Sequence, residues 1–217
     1  MTDTITLYGF PVSPHVRATR IAFHEAGVAI AFREIGLDHL PSDAYGAINP
    51  FRKMPALTHG ALTLYETPAL LTYANGLGEG SALEPAAPAA RAKMWQFIGV
   101  AQHYLYPVGV MQLYFQNVLT GLFGMDRDAV VAEASVAPTA LHLDVLERGL
   151  ENGFLAGDAL SLADIYCGAM VDYVARTSDG RRLVAARPQL AGWLDALRVR
   201  DSFRTTIAAM LDGSDQR

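Results

Sequence analysis

The sequence predicts an α/β domain followed by an all-α C-terminal bundle, and three observations carry that prediction. Strand-like runs around Ile5 to Tyr8, Val28 to Ile35, Ala56 to Thr58 and Leu62 to Tyr65 are confined to the first third of the chain. A stretch rich in glycine and proline, Gly76-Leu-Gly-Glu-Gly-Ser and then Glu84-Pro-Ala-Ala-Pro88, marks a change of composition. Beyond it the apolar residues recur at helical spacing and strand patterns largely vanish. The expected division is residues 1–77, a linker at 78–88 and an all-α domain at 89–217. A chain of 217 residues is long enough for two such cores.

Ile5, Leu7 and Tyr8 are strand formers, and Gly9 and Pro11 interrupt them. Ser13-Pro14 then reads as a helix N-cap with proline at the first helical position, and Gly27 as the stop. At such a junction the serine hydroxyl lies among free backbone N–H groups at the positive end of the helix dipole, which favours an anion such as a thiolate. Along the helix Arg17, Arg20 and His24 form a basic face, expected to be solvated, opposite Ala18, Ile21 and Ala22.

Val28 to Ile35 predicts a second strand, parallel to the first across the helix. Residues 36–49 are polar and rich in turns. Pro55 reads as the start of a third strand and His59-Gly60 as a hairpin turn. Thr67-Pro68 predicts another N-cap, able to receive an α-carboxylate.

In the second half, a long helix over 89–118 is expected to kink at Pro107, with Gln96, His103, Met111 and Tyr114 near one face. A further helix over 126–152 is interrupted near Pro138. Ser161 and Asp164 make a capping-box-like start before an apolar run, and Pro188 opens a last long helix.

Half the residues are hydrophobic, 18% are charged and the net charge is −5, so nucleic acid and anionic membrane are not expected partners. No run of about 18 consecutive apolar residues suggests a membrane span. The start, Met-Thr-Asp-Thr, lacks a basic segment and an apolar one, so a cytoplasmic protein is expected. One cysteine, Cys167, excludes an intrachain disulfide and reads as packing. Six histidines lack metal-ligand spacing, and no nucleophile elbow surrounds Ser13.

Leu7-Tyr-Gly-x-x-x-Ser-Pro14, Asn49-Pro-x-x-x-x-Pro-x-Leu57, Glu66-Thr67 and Leu155-Ala-Gly-x-x-x-Ser-x-Ala-Asp164 together resemble the glutathione transferases. Ser13 suggests a serine-type, theta- or phi-like bacterial class. The resemblance spans Thr4 to about Leu211 and implies a thioredoxin-like N-terminal domain, glutathione as co-substrate, no metal and a homodimer. It further implies a cis bond before Pro55, with the Met54 backbone pairing with the cysteinyl unit of glutathione. Glu66 and Thr67 would take the ammonium and carboxylate of its γ-glutamyl end, and Lys53 or His39 its glycine carboxylate. Three residues depart from the family pattern: Thr67 for serine, Pro68 beside it, and Arg52 where glycine is frequent.

Alignment on the Phe10-Pro-Val turn puts the tyrosine of the tyrosine-dependent classes at Gly9, so Ser13 is the expected catalytic residue and Tyr8 the reserve. Phe10, Val12 and Tyr114 are the expected pocket for an electrophilic, largely apolar co-substrate, held between the domains. The expected reaction is thiolate conjugation. The alternatives are glutathione binding without turnover, or glutathione-dependent isomerisation, dehalogenation or peroxide reduction on the same site.

Overall fold

The computed structural model describes residues 3–79 and 82–211 and divides the chain into two compact units. The first comprises residues up to Glu84 together with Asp201–Leu211, and the second Pro85–Arg200. Gly80 and Ser81, within the sequence-predicted linker, lie outside the described residues.

In the first unit β1 (Ile5–Gly9), α1 (Pro14–Glu25) and β2 (Ala31–Glu34) form the parallel crossover. β3 (Ala56–His59) and β4 (Leu62–Tyr65) add an antiparallel hairpin, giving the order β2-β1-β3-β4. β2 is shorter than its apolar pattern, because Val28 N–H turns back to the Phe23 carbonyl at 2.9 Å and ties 28–30 to the end of α1. Ile5, Leu7 and Gly9 point to one side of the sheet. A Cβ on Gly9 would meet Val16 Cγ2 at 2.4 Å, so the glycine allows α1 to approach the strand closely. α3 (Thr67–Leu77) packs beside α1. On the opposite face Tyr8 packs with Ile35, Ala56 and Tyr65 beneath Tyr45 of the short helix α2 (Asp43–Gly46).

The basic face of α1 is not simply solvated. Arg17 is 2% exposed and donates to the Phe203 carbonyl at 3.2 Å, and Arg20 donates to the Thr206 carbonyl at 3.3 Å. The cause is the segment 201–211, which sequence reading assigned to the helical domain. Its helix Asp201–Thr205 packs on α1, and Ser202 hydrogen-bonds Glu25.

In the second unit α4 (Pro88–Val100) continues into wide π-helical turns over Ala101–Leu119 and ends in α5 (Thr120–Leu122). Pro107 therefore neither breaks the helix nor stops it: the chain stays helical through it, in turns wider than those of an α-helix. Gln96, His103 and Met111 are exposed whereas Tyr114 is fully buried, so the four do not share a face.

α6 (Ala129–Ala134) and α7 (Val136–Gly149) separate at Ser135, not at Pro138, because Ser135 Oγ folds back onto the Ala132 carbonyl at 2.6 Å. Pro138 sits in the first turn of α7, where no N–H is needed. By length and composition the stretch Ala129–Gly149 is apolar enough to cross a membrane, with mean hydropathy 1.3. It carries Glu133, Asp144 and Glu147, and it packs along the π-helical stretch.

α8 (Leu162–Val174) is buried at every residue and forms the axis of this unit. α9 (Ser178–Ala185) and α10 (Pro188–Arg198) follow it. The Glu147 carboxylate accepts the Gln189 and Leu190 N–H groups at 3.2 and 2.6 Å, capping α10 where Arg187 offers no side-chain oxygen. Cys167 is enclosed, its thiol donating to the Phe97 carbonyl at 3.4 Å, and burial pushes that thiol well above its ordinary value. It has no nucleophilic character.

Candidate active site

The strand register gathers the candidate residues at one end of the sheet. Gly9 pairs with Glu34, Tyr8 with Ala56, and Ala56 with Tyr65. The turn to Ser13, the loop entering β3 and the exit of β4 into Glu66 and Thr67 therefore leave from the same end. Tyr8, Ser13, Lys53, Met54, Pro55, Glu66 and Thr67 belong to this unit, and so do His39, Phe10 and Val12.

Ser13 caps α1 with extended backbone, φ −77° and ψ 123°. Its Oγ accepts the Val16 N–H at 3.4 Å, the outer limit of a useful bond. Equivalent caps are tighter: Thr177 to Gly180 at 2.9 Å, Asp128 to Val131 at 3.1 Å and Ser42 to Tyr45 at 3.2 Å. A weak cap leaves the hydroxyl able to turn toward a ligand. His15, one residue into the helix, is held neutral by burial, which lowers its imidazole from 6.5 to about 4. It contributes no charge at neutral pH.

That depressed value has a sign in stability. The unfolded chain takes the His15 proton first as pH falls below 6.5, so the stabilisation present above that pH drains away down to about 4. Urea midpoints measured at pH 7.5 and 5 should fall further for the wild type than for His15→Gln. Equal losses in the two proteins would rule His15 out as the cause.

The peptide Met54–Pro55 is cis. Met54 Sδ accepts the Phe10 N–H at 3.1 Å, joining the β3 entry loop to the turn that carries Ser13. Two residues outside the expected site, Asn49 at the head of the Asn-Pro motif and Tyr45, shape this loop. Asn49, 1% exposed, donates to the Lys53 carbonyl at 2.8 Å and accepts the Phe51 N–H at 3.0 Å. Tyr45 donates to the same carbonyl at 2.8 Å, and burial raises its phenol to about 12. The Asn-Pro dipeptide signals such an Asx turn. Nothing local in the sequence points to Tyr45.

Arg52 adopts φ 52°, the conformation the frequent glycine supplies at no steric cost. Its guanidinium donates to the Pro41 carbonyl at 2.7 Å and to Asp43 at 3.0 Å, contacts a glycine lacks. His39 is exposed and lies edge-on to Tyr45, and the Lys53 side chain is exposed.

Glu66, not Thr67, occupies the cap position of α3, with φ 72° and ψ 116°. Thr67 and Pro68 are the first two helical residues. A left-handed glutamate costs on the order of 1–3 kcal/mol and is typical of backbone held for binding. The Ala69 N–H is spent on the Glu66 carbonyl at 3.0 Å; Glu66 itself is exposed, whereas Thr67 is 5% exposed and buried in the first turn.

Tyr8 OH pairs with Thr58 Oγ1 at 3.4 Å on the Tyr45 side of the sheet, and Arg33 lies over its ring. Val12 is 4% exposed, and Tyr114 is fully enclosed against Tyr173 with ring centroids 5.1 Å apart. Tyr114 thus packs the core of the second unit and offers no surface to line a pocket. Among the sequence-expected pocket residues Phe10 keeps partial exposure. Among the described residues no cluster of histidine, cysteine and carboxylates has metal-binding geometry.

The chain thus joins a thioredoxin-like domain with a cis-proline loop, a weakly capped serine helix and a strained acidic helix entry to a helical unit. Its two parts match two family descriptions: "Glutathione S-transferase, N-terminal domain" over residues 7–81 and "Glutathione S-transferase, C-terminal domain" over 130–196. The chain is 33% identical to glutathione S-transferase 3 of Zea mays over 213 residues, 95% of this chain and 94% of that one. It superposes on glutathione S-transferase III in apo form with TM-score 0.84 and 33% identity, covering 95% and 97% of the two chains. Glutathione S-transferase I from mais in complex with an atrazine glutathione conjugate gives TM-score 0.85 at 26% identity, covering 97% and 99%. The chain belongs to the glutathione S-transferase family.

Proposed function

We propose that this protein conjugates the thiolate of glutathione to an electrophilic, largely apolar small molecule. The observation that carries the reading is the convergence at one end of the sheet of Ser13, the Met54–Pro55 loop and the Glu66-Thr67 helix entry. The similar transferase bound to an atrazine glutathione conjugate supports the same chemistry.

Ser13 is the hydrogen-bond donor to the thiolate in this reading. A free cysteinyl thiol has a pKa of about 8.5, and lowering it by about two units is worth roughly 2.7 kcal/mol. A hydroxyl donating to sulfur, beside the N-terminus of α1, supplies an effect of that size. The Met54 backbone pairs with the cysteinyl unit, Glu66 takes the ammonium and Thr67 the α-carboxylate. Lys53, with His39 beside α2, faces the glycine carboxylate. The thiolate attacks the electrophilic carbon, the C–S bond forms, and the leaving group departs with the electron pair of its broken bond. Phe10 supplies apolar surface beside the sulfur. Tyr8, engaged with Thr58, stays in reserve. We also read the protein as a cytoplasmic homodimer, checked by sedimentation equilibrium.

Incubation with glutathione and 1-chloro-2,4-dinitrobenzene should give saturable conjugate formation above the uncatalysed rate. Calorimetric binding of glutathione with no turnover of aryl halides, alkyl halides, enones or hydroperoxides would leave a binding module instead. Turnover confined to hydroperoxides would make it a peroxidase.

A further inference from the structure

We infer that the Met54 side chain is a positioning residue for Ser13, acting through the turn between β1 and α1. The inference rests on the reading of Ser13 as the hydrogen-bond donor to the thiolate. The Phe10 N–H donates to Met54 Sδ at 3.1 Å, and the Phe10 carbonyl accepts the Ser13 N–H at 3.0 Å. The serine backbone is thus one residue removed from the thioether. Met54 is itself anchored, because the neighbouring Lys53 carbonyl accepts both Tyr45 OH and Asn49 Nδ2 at 2.8 Å.

The same residue therefore has two functions. Its backbone lies where the cysteinyl unit of glutathione pairs, and its sulfur sets the height of the turn bearing the hydroxyl that meets the thiol. Aliphatic residues of similar volume fill the space and keep the packing, but they leave the Phe10 N–H without this acceptor. The turn then loses one of the ties that set its position, and displacements of about 1 Å are enough to weaken a catalytic hydrogen bond severely. With Ser13 Oγ held to Val16 only at 3.4 Å, the helix cap is too weak to fix the turn by itself.

The test compares wild type, Met54→Leu, Met54→Gln, Ser13→Ala and the Ser13→Ala/Met54→Leu double variant. The ultraviolet thiolate absorbance of bound glutathione is titrated, and kcat and KM are measured with 1-chloro-2,4-dinitrobenzene. Met54→Leu should raise the bound thiol pKa by about one unit and lower kcat at pH 6.5 several-fold, with KM for glutathione within about twofold. Met54→Gln, which offers an amide oxygen as acceptor for the Phe10 N–H, should recover most of the loss. The double variant should be no worse than Ser13→Ala alone, as for two residues acting in one unit.

If Ser13→Ala raises the thiol pKa but Met54→Leu does not, the Met54 role is overturned and the Ser13 reading survives. If Ser13→Ala leaves the pKa unchanged, both fall. A Met54→Leu effect confined to KM, or one that Gln fails to rescue while melting as wild type, also overturns the positioning role.

Discussion

Ser13→Ala should raise the pKa of enzyme-bound glutathione by about two units and cut turnover at pH 6.5 by roughly tenfold to a hundredfold. The size follows from two opposed terms. With a bound pKa near 6.5, about half the thiol is ionised at that pH; returned to about 8.5, only about 1% is, a fiftyfold loss. Each remaining thiolate is more basic and more nucleophilic, which recovers roughly eightfold at a Brønsted slope of about 0.45. Ionisation alone therefore costs about sixfold, and loss of the bond that orients the sulfur makes up the rest.

The sign is diagnostic. Raising the pH through about 8.5 should close the ionisation part of the gap, because both proteins then hold the thiolate. Stopped-flow rates and thiolate absorbance across pH test this directly. A parallel drop at every pH, with an unshifted thiol, would take the activating role from Ser13 and pass it to Tyr8 or the backbone. The fold should tolerate the change, since the cap bond lost is a long one.

Asp164→Ala should be the most destabilising single change in the second unit, by about 4 kcal/mol. The carboxylate is fully buried and accepts Leu155 N–H at 2.9 Å, Ser161 N–H at 2.9 Å, Ser161 Oγ–H at 2.7 Å and Trp193 Nε1–H at 2.9 Å. Burial pushes its pKa up, and these donors only partly offset the rise. Truncation strands several buried donors around a small cavity, each at about 1–3 kcal/mol if left unpaired. Against a total of roughly 5–15 kcal/mol, that threatens the folded state at working temperature. Asp164→Asn keeps one carbonyl oxygen but turns an N–H₂ toward Ser161, and should fall between. Urea unfolding followed by Trp193 fluorescence measures both. A midpoint for Asp164→Ala close to wild type would show that the cap carries little of the unit's stability.

Sequence alone determined the plan of this protein wherever the signal was local. Ser13-Pro14, the strand alternation of β1, the hairpin at His59-Gly60 and the Ser161 to Asp164 box are legible because caps, turns and alternation depend on residues a few positions apart. The candidate site was legible as a set of motifs for the same reason. What the tertiary structure decided depends on residues far apart in the chain. The segment 201–211 buries Arg17 and converts an apparently solvated helix face into an internal contact. Packing at Phe23 shortens β2, and wide helical turns absorb Pro107. Tyr114 closes on Tyr173, removing from the expected pocket a residue whose helical spacing suited core and pocket equally. Tyr45, Asn49 and the Met54 sulfur act across loops that no periodicity marks. Local rules fix which elements form, because their energies are set by neighbours in the chain. Only burial and the pairing of distant polar groups decide which side chain is left free to meet a ligand.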